Sequence, residues 1–83
     1  MKVMAELSIY PLRQRDLTGP IEQFVDGLRN NKLQVKVGPM SSLVAGDSHD
    51  IFESLREYFE RLAEENEIVL TAKISNACPE IEM

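Results

Sequence analysis

Hydrophobic residues in this chain change spacing in a fixed order: from every second position to every third or fourth and back, twice over. Val3, Ala5, Leu7 and Ile9 alternate with Met4, Glu6, Ser8 and Tyr10, so residues 3–12 have the period of a strand. Pro11 cannot donate a ladder hydrogen bond, and regular pairing is expected to end there. After a charged connection at residues 13–17, Thr18, Gly19 and Pro20 place a capping hydroxyl and a first-turn proline at the start of a helix. Ile21, Phe24, Val25 and Leu28 then follow at i, i+3, i+4 and i+7, one stripe that faces a core. Asn30-Asn31 is expected to take the left-handed conformation that closes the helix.

The second half repeats the alternation. Leu33, Val35 and Val37 alternate with Gln34 and Lys36, and Gly38-Pro39-Met40 signals a turn before a third short strand at residues 41–46. Gly46-Asp47-Ser48 breaks that strand. Asp50 with Glu53 three residues on suggests a capping box, with Asp47 and Ser48 as competing caps. Phe52, Leu55, Phe59 and Leu62 predict the buried stripe of a second helix, whose outer face holds the i,i+4 pairs Arg56/Glu60 and Glu57/Arg61. Residues 68–74 form the fourth strand.

Strand, helix, strand, strand, helix, strand, with right-handed crossovers in both halves, predicts an α+β ferredoxin-like fold. Its four-stranded antiparallel sheet carries both helices on one face, and residues 1–83 are expected to make a single domain. The other sheet face stays open. Met4, Glu6, Ser8 and Tyr10 lie there, with Gln34 and Lys36 from the second strand. If Ile68, Leu70, Ala72 and Ile74 point to the helices, the fourth strand adds Val69, Thr71, Lys73 and Ser75. The register of the third strand is ambiguous, so Ser41 and Ser42 both stay candidates. The second strand is expected at a sheet edge, where its short length does little to prevent pairing with another copy.

Charge and cysteine usage narrow the class of partner. Fourteen acids against nine bases leave a net charge of −5, which argues against a nucleic-acid module, because phosphate backbones are held by Lys and Arg. A cationic or neutral small molecule suits this balance better. The central strands also lack the aromatic residues on which the RNA-binding version of the fold stacks bases, and the first loop lacks the two thiols of a copper chaperone. Cys78 is alone, so no internal disulfide forms and a reducing compartment is expected. No segment has the apolar length of a membrane span, nor does the N-terminus have the pattern of a signal peptide. A cytoplasmic protein is expected.

Glu6, on an expected central strand, can orient a ligand amine or a protonated ring nitrogen by a charge-assisted hydrogen bond. An ion pair with Lys36 or Lys73 is the competing reading. Tyr10 can stack on an aromatic or cationic ligand, or pack at the sheet end. His49 with neighbouring acids lacks the convergent ligands of a metal site, and Cys78 lacks a base beside it. Arg13 and Arg15 stand where small ferredoxin-like phosphatases hold phosphate, but without a glycine-rich nest.

Three segments carry a family resemblance. Ser8-Ile9-Tyr10-Pro11-Leu12, the run from Gly38-Pro39-Met40-Ser41-Ser42 to Asp47, and Lys73-Ile74-Ser75-Asn76-Ala77-Cys78-Pro79 occur in order. Together they resemble the thiamine/hydroxymethylpyrimidine-binding YkoF-like family over nearly the whole chain. Ser42 stands where the family's motif has threonine, and some members carry the unit twice where this chain has it once. The resemblance implies a non-enzymatic, cytoplasmic binder of thiamine or its pyrimidine precursor, without a cofactor or metal. It also implies domains associating through their sheets; the partly apolar open face and the exposed edge strand of so small a domain lead independently to an expected homodimer or homotetramer. Motif and open face together nominate Glu6, Ser8, Tyr10, Met40, Ser41, Ser42, Ser75 and Asn76 as ligand-binding residues. A small acyl-phosphate or phosphate hydrolase, or a regulatory protein-interaction module, is the alternative.

Overall fold

Strand alternation and the stripe of the first helix lie where the periodicity predicts in the computed structural model, which describes residues 1–13 and 18–77 apart from the Thr18 side chain. The order is β1 (Lys2–Pro11), α1 (Thr18–Asn30), β2 (Gln34–Val37), β3 (Ser42–Asp47), α2 (Ser48–Ala63) and β4 (Ile68–Ser75). The four strands form one antiparallel sheet in the order β2-β3-β1-β4, the ferredoxin-like arrangement. β1 and β3 are central, and β2 and β4 are the edges, as expected for β2. Regular pairing ends at Pro11, itself the last residue of β1, opposite Ile68. Cys78 and Arg15 lie outside the described residues.

The core forms between the sheet and the two helices. Ala5, Val44 and Val35 sit side by side across β1, β3 and β2. With Val3 and Leu7, they pack against Phe24, Val25 and Leu28 of α1 and Ile51, Leu55 and Leu62 of α2. Burying each of the larger side chains contributes roughly 1.5–3 kcal/mol. Coverage fades at the sheet edges. Ile68 and Leu70 pack on the core, whereas Ala72 is exposed, Ile74 is 37% exposed and Val37 is 53% exposed. Alternation correctly assigned Ile74 and Val37 to the helix side, but the helix layer stops short of them.

Three local expectations are corrected. The buried face of α2 is Ile51, Ser54, Leu55 and Leu62 with Tyr58 packed beside them, while Phe52 is 56% and Phe59 36% exposed. Residues 51, 55, 58 and 62 hold one face at steps of four, three and four, and each Phe lies one residue, about 100°, further round. The capping box at Asp50 is not used. β3 runs without a loop into α2, and Asp47 caps the helix by accepting from the His49 N–H at 2.9 Å. That leaves Asp50 inside the first turn. The reversal after α1 falls on Lys32, at φ 67°, rather than on Asn30-Asn31. Asn31 is held instead by its side-chain amide, which donates to the Ser54 hydroxyl at 2.9 Å.

Asp47 also ties the start of β1 to the end of β3. Its carboxylate accepts from the Met1 ammonium at 3.1 Å, and the Ser48 N–H donates to the Met1 carbonyl at 2.8 Å. The ammonium contact first, and the His49 N–H second, hold this carboxyl below its ordinary range. On the outer face of α2, Arg56 bridges Glu60 at 2.8 Å and Glu53 at 3.2 Å, and Arg61 meets Glu57 at 3.8 Å. Both i,i+4 pairs are those the spacing predicts, each contributing a few tenths of a kcal/mol. No described helix is long and apolar enough to cross a membrane.

Candidate functional site

The pairing of β1 with β3 settles the ambiguous register. Glu6 lies opposite Leu43 and Met4 opposite Ala45, so Leu43 and Ala45 share the open face with Glu6. Leu7 lies opposite Ser42, which turns Ser42 toward the helix side with Val44. On the other flank Glu6 faces Lys73, Ser8 faces Thr71 and Tyr10 faces Val69. Lys36 of β2 pairs with Leu43. One cross-strand row of the open face therefore reads Lys36, Leu43, Glu6, Lys73.

The turn between β2 and β3 rises beside this row. It is closed by the Gly38 N–H donating to the Ser41 carbonyl at 2.9 Å. From it the Ser41 hydroxyl donates to Glu6 Oε2 at 3.2 Å. Glu6, Lys36 and Leu43, with Gly38, Pro39, Met40 and Ser41 of the turn, line a cavity of about 290 Å³. That volume lies at the lower end of small-molecule sites, which run from roughly 300 Å³ upward. Leu43 supplies an apolar floor, Pro39 and Met40 a wall, and Glu6 and Lys36 opposite charges. Met40 is 90% exposed at the rim.

A second, smaller cleft lies behind the same turn. β1 continues four residues past its last partner on β3, and Leu7, Ser8 and Ile9 line a space of about 130 Å³ with Ser42, the turn, and Ile21, Phe24 and Val25 of α1. At about 30 Å³ per water it has room for a few solvent molecules.

The nominated residues thus fall into separate groups. Glu6, Met40 and Ser41 meet at the larger cavity, and Ser8, Met40, Ser41 and Ser42 at the smaller cleft. Tyr10 stands four residues beyond Glu6 along β1, roughly 13 Å away, and is 42% exposed. Ser75 lies opposite Met4, at the other end of the face, and its hydroxyl accepts from the Ala77 N–H at 3.0 Å. Asn76 follows beyond the strand. From the Tyr10 level to the Ser75 level is about 20 Å, too long for a single heterocycle to bridge.

Sequence reasoning placed Lys36 on this face only as a competing partner for Glu6. It missed Leu43 as the floor, because residues 43–45 are apolar on both faces and alternation has no contrast there. Among the described residues Glu6 pairs with neither lysine, and neither Lys36 nor Lys73 has an ion-pair partner. Of the two arginines offered as anion holders in the hydrolase alternative, Arg13 is engaged by Glu67 at 3.1 Å, and Arg15 lies outside the described residues. The described residues contain no cluster of three metal-ligating side chains.

Residues 2–81 match the YKOF-related Family. Solved structures share the fold. A hypothetical protein of Methanocaldococcus jannascii is 21% identical at a TM-score of 0.84, over 99% of this chain and 87% of that one. A Thermotoga maritima protein with the name "putative thiamine biosynthesis/salvage protein" is 21% identical at 0.80, over 89% and 82%. A Streptococcus pneumoniae protein is 25% identical at 0.81, over 98% and 90%. Among curated proteins there is no match.

Proposed function

Because this chain belongs to the YKOF-related family, we propose that it binds thiamine or its hydroxymethylpyrimidine precursor, without turnover, in the open-face cavity beside the β2–β3 turn. The observation that carries the reading is the exposed Glu6 carboxylate, held by the Ser41 hydroxyl at 3.2 Å where it lines an open cavity with an apolar floor. An aminopyrimidine offers an amine donor and ring nitrogens on one edge and two apolar faces. Glu6 accepts from that edge, and such a charge-assisted bond is worth roughly 1.5–3 kcal/mol. Ser41 carries both a donor and acceptor lone pairs, so it can re-pair with a ring nitrogen as ligand enters. Leu43 and Met40 cover the ring faces. The name carried by the Thermotoga maritima neighbour supports the same ligand chemistry.

The working unit in this proposal is a homodimer or homotetramer assembled through the sheet. β2 and β4 are both open edges, and the uncovered face mixes Met4, Tyr10, Leu43 and Val69 with polar side chains. A second sheet facing this one would bury the apolar members and roof the cavity. The single Cys78 is consistent with a reducing, cytoplasmic setting as part of the same proposal. Calorimetry against thiamine and hydroxymethylpyrimidine tests the central claim. Heat from either, lost in Glu6→Gln, supports it. No heat from either, with turnover of an acyl phosphate abolished by Arg13→Ala, replaces it with the hydrolase alternative.

A further inference from the structure

The charges of this molecule are segregated in a way the net value conceals. α2 and the turn after it carry a large excess of carboxylates over Arg56 and Arg61, and this excess lies on the helix side or the rim. The row across the middle of the open face runs the other way, with Lys36 and Lys73 flanking Glu6. Among the described residues both ammonium groups lack an ion-pair partner, while Glu6 is occupied by Ser41. Only one of the two lysines belongs to the cavity: Lys36 lines it together with Glu6, and Lys73 does not.

We infer, on the reading above, that the open-face cavity takes the phosphate ester of its heterocycle, with Lys36 as the partner of the anion. Lys36 and Glu6 are both direct neighbours of Leu43, so their Cα atoms stand two strand spacings apart, about 9.5 Å. Between them Leu43 offers the only apolar contact of the row. A ligand that satisfies all three has an N–H donor for Glu6, a flat apolar body over Leu43 and an anion within reach of a flexible ammonium. An aminopyrimidine with a phosphorylated hydroxymethyl group meets those requirements. The unphosphorylated alcohol leaves Lys36 without its counter-charge. The acidic chain as a whole repels a phosphate, so the attraction is local and acts at short range within the cavity.

Calorimetry with hydroxymethylpyrimidine and hydroxymethylpyrimidine monophosphate as probes tests this on the full chain. The monophosphate should bind roughly five- to tenfold tighter at low salt, and the advantage should shrink as salt screens the contact. Lys36→Gln should abolish the difference between the two probes, while Lys73→Gln should retain it. Lys36 is exposed on an edge strand, and circular dichroism verifies that the variant is folded. If hydroxymethylpyrimidine binds and its monophosphate gains nothing, or if the gain survives in Lys36→Gln, this inference is overturned and the cavity reading stands. If neither probe binds, this inference is overturned, and calorimetry with thiamine then decides whether the cavity reading stands.

Discussion

The ring of Tyr58 on α2 rests against the bare Cα of Gly27 on α1, so that a Cβ at position 27 would overlap the Cδ1, Cε1 and Cζ atoms of that ring. The absence of a side chain sets how closely the two helices approach. It is a packing requirement, since Gly27 has an ordinary helical backbone without positive φ. In an exposed helix Gly→Ala gains about 1 kcal/mol. Here we expect Gly27→Ala to destabilise by about 1–2 kcal/mol, because overpacking a close contact outweighs that gain. Urea denaturation measures it, and in a Tyr58→Ala background the same substitution should turn neutral or stabilising.

Ser54 is 1% exposed and its hydroxyl receives the Asn31 amide. Ser54→Ala leaves that amide without its partner at the exit from α1. The expected loss is about 1 kcal/mol, the net value of a neutral hydrogen bond. A change in denaturation midpoint at constant slope would show it, and no change would mean that solvent re-pairs Asn31.

At the cavity, Glu6→Gln should weaken pyrimidine binding by roughly 1.5–3 kcal/mol with the fold intact. Ser41→Ala should cost about 1 kcal/mol, a neutral partner being removed. Ser42→Ala should cost less than Ser41→Ala, since its side chain points to the helix side of the sheet. Equal losses at Ser41 and Ser42 would move the ligand to the cleft behind the turn.

Asp47 predicts a feature of the acid limb of stability. Its folded carboxyl titrates below its ordinary value of 3.8, so the ionised form is favoured by folding. Its contribution is therefore complete above that value and is lost as pH falls through the lower, folded one. Asn also caps helices well. Asp47→Asn should thus keep its helix near neutral pH while losing stability less steeply below about pH 4. Thermal melts across that range check the slope.

Assembly through the sheet predicts a mass above that of the 9.4 kDa chain at micromolar concentration. Sedimentation equilibrium measures it. A single species at the chain mass would remove the facing sheet that is proposed to roof the cavity.

Periodicity by itself determined the order of elements, the inward residues of β1 and α1, and the open face of a ferredoxin-like sheet. It succeeds where one face is apolar and the other polar, as in Val3 to Tyr10, because only one assignment then buries the apolar set. Two things waited for the tertiary structure. Leu43, Val44 and Ala45 are apolar in succession, so pairing with β1 had to decide that Leu43 joins Glu6 and that Ser42 does not. On α2, two interleaved stripes of large residues compete, and the one that includes Ile51 and Tyr58 won because Tyr58 meets Gly27 and Ile51 meets the sheet-side core. The cavity itself joins residues from β1, β2, β3 and a turn. Such convergence depends on register, which no local spacing encodes.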